Sequence, residues 1–168
     1  MFSLISAIGR NREIGKNNNL IFHVKDDMKF FRDTTKDHKV VMGRATWESL
    51  PVKLKDRKNI VVTRSDPKSL EKPLQAPAVA PDEVVSNLDG FIKANQDSEE
   101  EIFIIGGGTI YSAFLPHAKH LYLTEIDASA EDADTFFPQF DKSKYHRTII
   151  KKGSDHGINY SIVKYTKR

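Results

Sequence analysis

Residues 102–111 read IFIIGGGTIY. Four consecutive large apolar residues, bounded by a breaker, suit a short strand buried on both faces. Three glycines end the run, and TIYSAFL (109–115) continues as a helix until Pro116 stops it. A second junction of the same kind lies upstream in VVMGRATWESL (40–50), where Gly43 ends a strand and Arg44, Ala45 and Thr46 open a helix. Strands that alternate with helices argue for an α/β sheet, largely parallel, with both faces covered.

Outward from these junctions the pattern holds. Phe2–Ile8 reads as a strand, followed by a polar loop over GRNREIGKNNNL (9–20). HVKDDMKFFRDTT (23–35) has helical periodicity, and HKVVMG (38–43) and NIVVTR (59–64) read as strands. Four of the seven prolines, Pro67, Pro73, Pro77 and Pro81, fall in 65–81, which predicts mostly loop. A helix is expected from Pro81, with Asp82 and Glu83 in its first turn and Val84, Leu88, Phe91 and Ile92 on its apolar face. HLYLTEID (120–127) is strand-like, and YHRTIIKKG (145–153) and INYSIVKYT (158–166) form a closing hairpin around SDHG. The expectation is one α/β domain spanning 1–168. It has a central mixed, mostly parallel sheet of about eight strands, about four flanking helices and a C-terminal antiparallel hairpin. No internal repeat or second-domain linker is visible.

Composition narrows the function classes. At 168 residues, 39% hydrophobic and 29% charged, the chain is long enough to bury its own core. It has no cysteine, so neither a disulfide framework nor a cysteine metal site is available, and no metal is expected. The opening MFSLISAIG lacks the basic residues of a leader and reads as a buried strand, which points to a cytoplasmic protein. No apolar run approaches the length of a membrane span. The net charge of +3 is scattered over clusters such as KLKDRK (53–58), which read as solvated faces and not as a nucleic-acid surface. A mild positive field does help to attract a polyanionic small molecule.

One acidic residue stands out. On the 23–35 helix, Val24, Met28 and Phe31 fall at i, i+4 and i+7, and Asp27 lies on the same stripe while Asp26, Lys29 and Arg32 point away. A carboxylate facing a core is costly unless paired, so it is either a satisfied structural group or a site for a donor-rich or cationic ligand. The two strand-to-helix junctions are candidate phosphate sites, because helix N-termini offer unpaired N–H groups and glycine lets a diphosphate approach. Alone, neither is diagnostic: Tyr111 occupies the third glycine position of G-x-G-x-x-G, so that fingerprint fails. Arg44 and Arg64, just past strand ends, are candidates for gripping an extra phosphate.

Taken together, MFSLISAIGRNREIGKNNNL, the acidic helix, VVMGRATWESL, LKDRKNIVVTR, IFIIGGGTIY, LYLTEID and DTFFP resemble dihydrofolate reductase in order and spacing, over essentially the whole chain. The likeness is to the chromosomal bacterial form. It implies an NADPH-dependent reductase of 7,8-dihydrofolate, a monomer with a small-molecule substrate. It implies that Asp27 holds the N3 and 2-amino edge of the pterin, with Thr124 reaching the same edge and Phe22 beside an ordered water. Ile5, Met28, Phe31, Leu50, Leu54 and Ile105 match the walls around the substrate rings, and Arg57 matches the partner of the glutamate α-carboxylate. On the cofactor side the resemblance implies Ala7, Ile14, Gly15 and Leu20 at the nicotinamide. Gly43, Arg44, Ala45 and Thr46 match one phosphate junction, and Gly106, Gly107, Gly108, Thr109, Ile110 and Tyr111 the other. Val62, Thr63 and Arg64 match the segment beside the 2′-phosphate. The Gly106–Gly107 bond is expected to be cis by the same likeness.

The departures are specific. Ile21-Phe22 replaces the usual Pro-Trp, so the indole N–H is missing, and Thr109 stands where some members place an arginine. Two other readings remain open on the residues: a reductase of the same fold acting on a pyrimidine or pteridine, and a non-catalytic folate- or nucleotide-binding protein. The first would not need Asp27, Phe31 and Arg57 together.

Overall fold

The computed structural model describes residues 1–17, 19–64 and 79–168. Strand β1 (Phe2–Ile8) is followed by β2 (Glu13–Lys16), β3 (Asn19–Leu20) and helix α1 (Lys25–Thr35). Next come β4 (Lys39–Gly43), α2 (Arg44–Ser49), β5 (Lys58–Val62), β6 (Glu83–Val85) and α3 (Leu88–Asn95). The chain ends with β7 (Ile102–Gly106), α4 (Gly108–Phe114), β8 (Ala118–Ile126), β9 (Thr135–Phe136), β10 (Tyr145–Asp155) and β11 (Ile158–Lys167).

Eight strands form one sheet in the order β10-β11-β8-β1-β7-β4-β5-β6. All neighbours are parallel except β11, which runs antiparallel to both β8 and β10. The expected mixed, mostly parallel sheet with a closing hairpin is present. β1 lies at its centre, with Phe2 opposite Ile102 on one side and Ala118 on the other.

Period-two alternation explains why both faces are apolar. Leu4, Val41, Ile60, Ile102 and Ile104 point to one face, where Ile92 of α3 and Ile110, Tyr111 and Phe114 of α4 cover them. Ile5, Val40, Met42, Val61 and Phe103 point to the other, under Trp47 of α2 and Phe30 and Phe31 of α1. Each fully buried aliphatic side chain contributes about 1.5–3 kcal/mol relative to an exposed one, so the two layers fix which strand end faces which helix.

Three sequence expectations need correction. The 9–20 stretch is not all loop: β2 and β3 lie in it and pair with β9 as a second, three-stranded sheet. Its Glu13 is only 1% exposed, accepting N–H bonds from Asn11 (2.7 Å) and Ala130 (2.6 Å). The helix does not begin at Pro81. Val84 and Val85 extend the sheet edge beside β5, and the helix starts after Asn87, whose side chain accepts from the N–H of Gly90. A β-branched pair prefers the pleat and asparagine is a strong N-cap, and both outweigh Pro81. On α1, the inward stripe is Asp27, Phe30, Phe31 and Thr35, whereas Met28 is 60% exposed and Val24 is buried at the N-cap position. The loop expected over 65–81 falls largely outside the described residues.

Candidate active site

The parallel strands β1, β4, β5 and β7 end on the same side of the sheet, where open α/β sheets place their ligands. The inward stripe of α1 packs against this sheet. Its Asp27 carboxylate accepts a hydrogen bond of 2.5 Å from the hydroxyl of Thr124, itself buried in β8. Burial pushes the Asp27 carboxyl above its ordinary pKa, and the Thr124 hydroxyl pulls the other way without cancelling it. No cation among the described residues pairs with it, which separates this carboxylate from an ordinary salt-bridged one.

The apolar walls expected from the sequence converge here. Phe31, Leu50, Leu54 and Ile105 pack against a cluster that contains Ile5. Arg57 lies with its guanidinium 5.8 Å from the centre of the Phe31 ring and donates 3.2 Å to the hydroxyl of Thr35 and 2.9 Å to the carbonyl of Lys55. Burial lowers its pKa, with Asp56 opposing and Arg32 adding to the shift, yet an arginine this basic stays charged. Tyr111, the residue that spoils the dinucleotide fingerprint, is buried and donates 2.6 Å to the carbonyl of Ile5. Its phenol is held neutral by burial, with the Asp27 charge reinforcing the shift and a hydrogen bond with Ser6 opposing it. Phe22 packs beside Ala7 on the cluster of Val24, Ile126, Tyr160 and Ile162.

The two glycine junctions face each other. A Cβ on Gly43 would come within 3.0 Å of Ile110 at the start of α4, and one on Gly106 would meet the Thr46 hydroxyl and the Tyr111 ring. Gly106 has φ +130, a backbone that side chains rarely adopt, and its bond to Gly107 is cis, as expected. A Cβ on Gly107 would meet nothing nearer than the Thr46 hydroxyl at 3.6 Å, so this backbone is open to close approach. Glycine N-caps at Gly43 and Gly107 give α2 and α4 no side-chain cap. Arg44 pairs with Glu48 at 2.7 Å along α2, and Ala45 and Thr109 are exposed in the first turns. Val62 packs on the core, Thr63 donates its N–H to the carbonyl of Val85, and Arg64 is exposed at the end of the described segment. In the small sheet Ile14 is buried, Gly15 pairs with both Leu20 and Thr135, and Leu20 stands 62% exposed.

These observations place a buried carboxylate, an apolar slot and an arginine on one side, and a glycine-lined double junction on the other. The family model for dihydrofolate reductase matches residues 1–167. The chain belongs to the dihydrofolate reductase family. It is 34% identical over 171 residues to dihydrofolate reductase of Bacillus subtilis, covering 100% of this chain and 95% of that one. It is 36% identical over 167 residues to that of Neisseria gonorrhoeae, covering 97% and 96%. Dihydrofolate reductase type 3 of Salmonella typhimurium is 41% identical over 140 residues, covering 83% and 80%. As a member of this family the protein is an oxidoreductase.

The dihydrofolate reductase chain carries features that sequence reading missed. Glu13 was hidden in a stretch read as a polar loop, and Phe30 joins Phe31 on the inward face of α1 in place of Met28. Asp26, expected to point away, binds the Tyr160 hydroxyl and Lys151 of the hairpin. A pairing between residues so far apart leaves no periodic signal. A concavity of about 470 Å³ beside Gly9, Arg12, Phe140 and Lys142 shares no residue with the Asp27 group, and its Arg10 is already paired with Asp127 at 2.6 Å. No helix among the described residues is long and apolar enough to cross a membrane.

Proposed function

We propose that the protein reduces 7,8-dihydrofolate to tetrahydrofolate at the expense of NADPH, with Asp27 as the substrate-binding carboxylate. The Asp27–Thr124 pair on an apolar wall is the observation that carries this reading. A carboxylate whose second oxygen accepts from no side chain among the described residues suits the N3 and 2-amino edge of a pterin, and its raised pKa favours sharing a proton with that ring. Ile5, Phe31, Leu50, Leu54 and Ile105 flank the flat rings, and Met28 closes the exposed rim. Arg57, pre-oriented by Phe31 and Thr35, takes the α-carboxylate of the glutamate tail in a bidentate contact. A pyrimidine substrate would leave Arg57 with nothing to bind.

The open backbone at Gly107 and the two glycine-capped helix starts fit a diphosphate, and Arg44 and Arg64 fit the extra phosphate that distinguishes NADPH from NADH. When bound, the cofactor supplies the hydride for C6 of the pterin. The protein's part is to align the rings, exclude bulk water and hold a proton at the N3 edge. Asp27 sits on that edge and not at N5, so we assign N5 protonation to water admitted beside the β2 and β3 strands. The lack of cysteines suits a reducing, cytoplasmic setting, and we read the working form as a monomer.

The test follows NADPH absorbance in the presence of dihydrofolate. Turnover with NADPH well above that with NADH is expected. Arg44→Ala/Arg64→Ala should narrow the preference by at least about tenfold, since even one charge-assisted contact is worth about 1.5–3 kcal/mol. Equal use of both cofactors by the unmodified protein removes the 2′-phosphate assignment, and no oxidation with either removes the reductase reading.

A further inference from the structure

Helix α1 presents Asp27 but does not cap itself. Its N-cap is Val24, which has no polar side chain to offer the first turn. The missing acceptor comes from the far end of the chain: Asp155, the last residue of β10, accepts the Lys25 N–H at 3.1 Å. One residue further on, the carboxylate of Asp26 accepts a hydrogen bond from the Tyr160 hydroxyl of β11 and pairs with Lys151 of β10 at 3.2 Å. Tyr160 is only 3% exposed, packed with Val24, Ile126 and Ile162, so its hydroxyl is fixed by the core.

The same strand also fixes Thr124. In the β8–β11 ladder Tyr160 lies opposite Ile126 and Ile162 opposite Thr124. A closed path therefore runs from Asp27 to Thr124, across the ladder to β11, along it to Tyr160, and back through Asp26 to Asp27. Both partners of the 2.5 Å contact hang from one rigid strand.

We propose that the C-terminal hairpin is the positioning device of the substrate carboxylate, with Tyr160 and Asp155 as positioning residues that set where Asp27 stands relative to Thr124. The inference rests on the assignment of Asp27 as the pterin-binding group. Tyr160 and Asp155 touch no substrate; they act through α1. The Asp26–Lys151 pair, exposed to solvent, adds little beyond direction. The cofactor junctions hang on β4 and β7, on the other side of β1, and are outside this path.

The experiment compares Tyr160→Phe, Asp155→Ala and Asp155→Asn with the unmodified enzyme, well below their melting temperatures. Tyr160→Phe keeps the packed ring and removes only the hydroxyl. The loss of one such hydrogen bond should raise the KM for dihydrofolate roughly two- to tenfold in Tyr160→Phe and Asp155→Ala. The KM for NADPH should stay within about twofold. Asp155→Asn retains an acceptor for the Lys25 N–H and should restore the value lost in Asp155→Ala. An unchanged dihydrofolate KM in both disruptive variants, or an equal rise in both KM values, overturns the inference. Asp27→Asn, run alongside, separates the two readings. If it keeps the wild-type dihydrofolate KM, the Asp27 assignment fails and takes this inference with it. A raised KM there beside unchanged hairpin variants removes the hairpin role alone.

Discussion

Asp27 was readable because it breaks a pattern, and a broken pattern is the strongest signal a single residue can give. One member of the stripe used to find it was wrong: Met28 is exposed and Phe30 faces inward, whereas Val24 is buried and Phe31 packs on the core as expected. Carboxylates with raised pKa have a definite thermodynamic signature. The folded state holds the Asp27 proton more tightly than the unfolded chain, so stability from this group is fully present below the unfolded pKa and is lost as pH rises through the folded one. Asp27→Asn should therefore be as stable as wild type or more so at neutral pH, and the advantage should vanish in acid. Its turnover at pH 7 should fall roughly 10²-fold, with partial recovery at low pH as the substrate takes its proton from the solvent. Parallel thermal melts and initial rates across pH check both halves; wild-type turnover at pH 7 would sink the proposed role.

At the level of elements, the strands of the main sheet other than the three-residue edge strand β6 were legible, most of them because buried parallel strands read as apolar runs. The small sheet was not. β2, β3 and β9 are two to four residues long, and Glu13 buries a charge in a stretch that looks solvated. Burial alone would raise the Glu13 pKa, but the Ala130 and Asn11 N–H groups, helped by Arg10, hold it below the ordinary value. Its contribution is present above the unfolded pKa and lost as pH falls through the folded one. Glu13→Ala should cost about 1–3 kcal/mol in urea unfolding at pH 7, because two partly buried N–H groups lose their acceptor, and less as the solution is acidified. A loss under 0.5 kcal/mol at pH 7, roughly the floor for one hydrogen bond, would show that water replaces the carboxylate. Phe22 belongs to the same region, close enough that a Cβ on Gly9 would come within 2.9 Å of its ring. Phe22→Trp restores an N–H donor and should keep the fold while changing dihydrofolate kinetics by no more than about tenfold. A hundredfold loss would show a slot shaped for the smaller ring.

For the molecule as a whole, the alternation of the long strands and helices was clear in the sequence, though β2, β3, β6 and β9 were not. The hairpin's grip on α1 was not, because Asp155 and Lys25 share no local pattern. A single domain should respond to ligand as a unit. A 2,4-diaminopteridine bound at a hundred times its Kd adds about 2.7 kcal/mol, which for a chain of this size raises Tm by roughly 5–10 °C. The shift should disappear in Asp27→Asn, and no shift in the wild-type protein at saturation would count against the whole cleft. The place of β1 also has a consequence in time. Phe2 pairs with Ile102 and Ala118, so the central strand of the sheet leaves the ribosome well ahead of both strands that must flank it. At ordinary rates of synthesis the wait is roughly 5–20 s, during which FSLISAI is a bare apolar segment. Productive yield in the cell should thus depend on what shields that segment while the chain is being made, and slowing translation ahead of Ile102 should lower the soluble fraction without altering the finished enzyme.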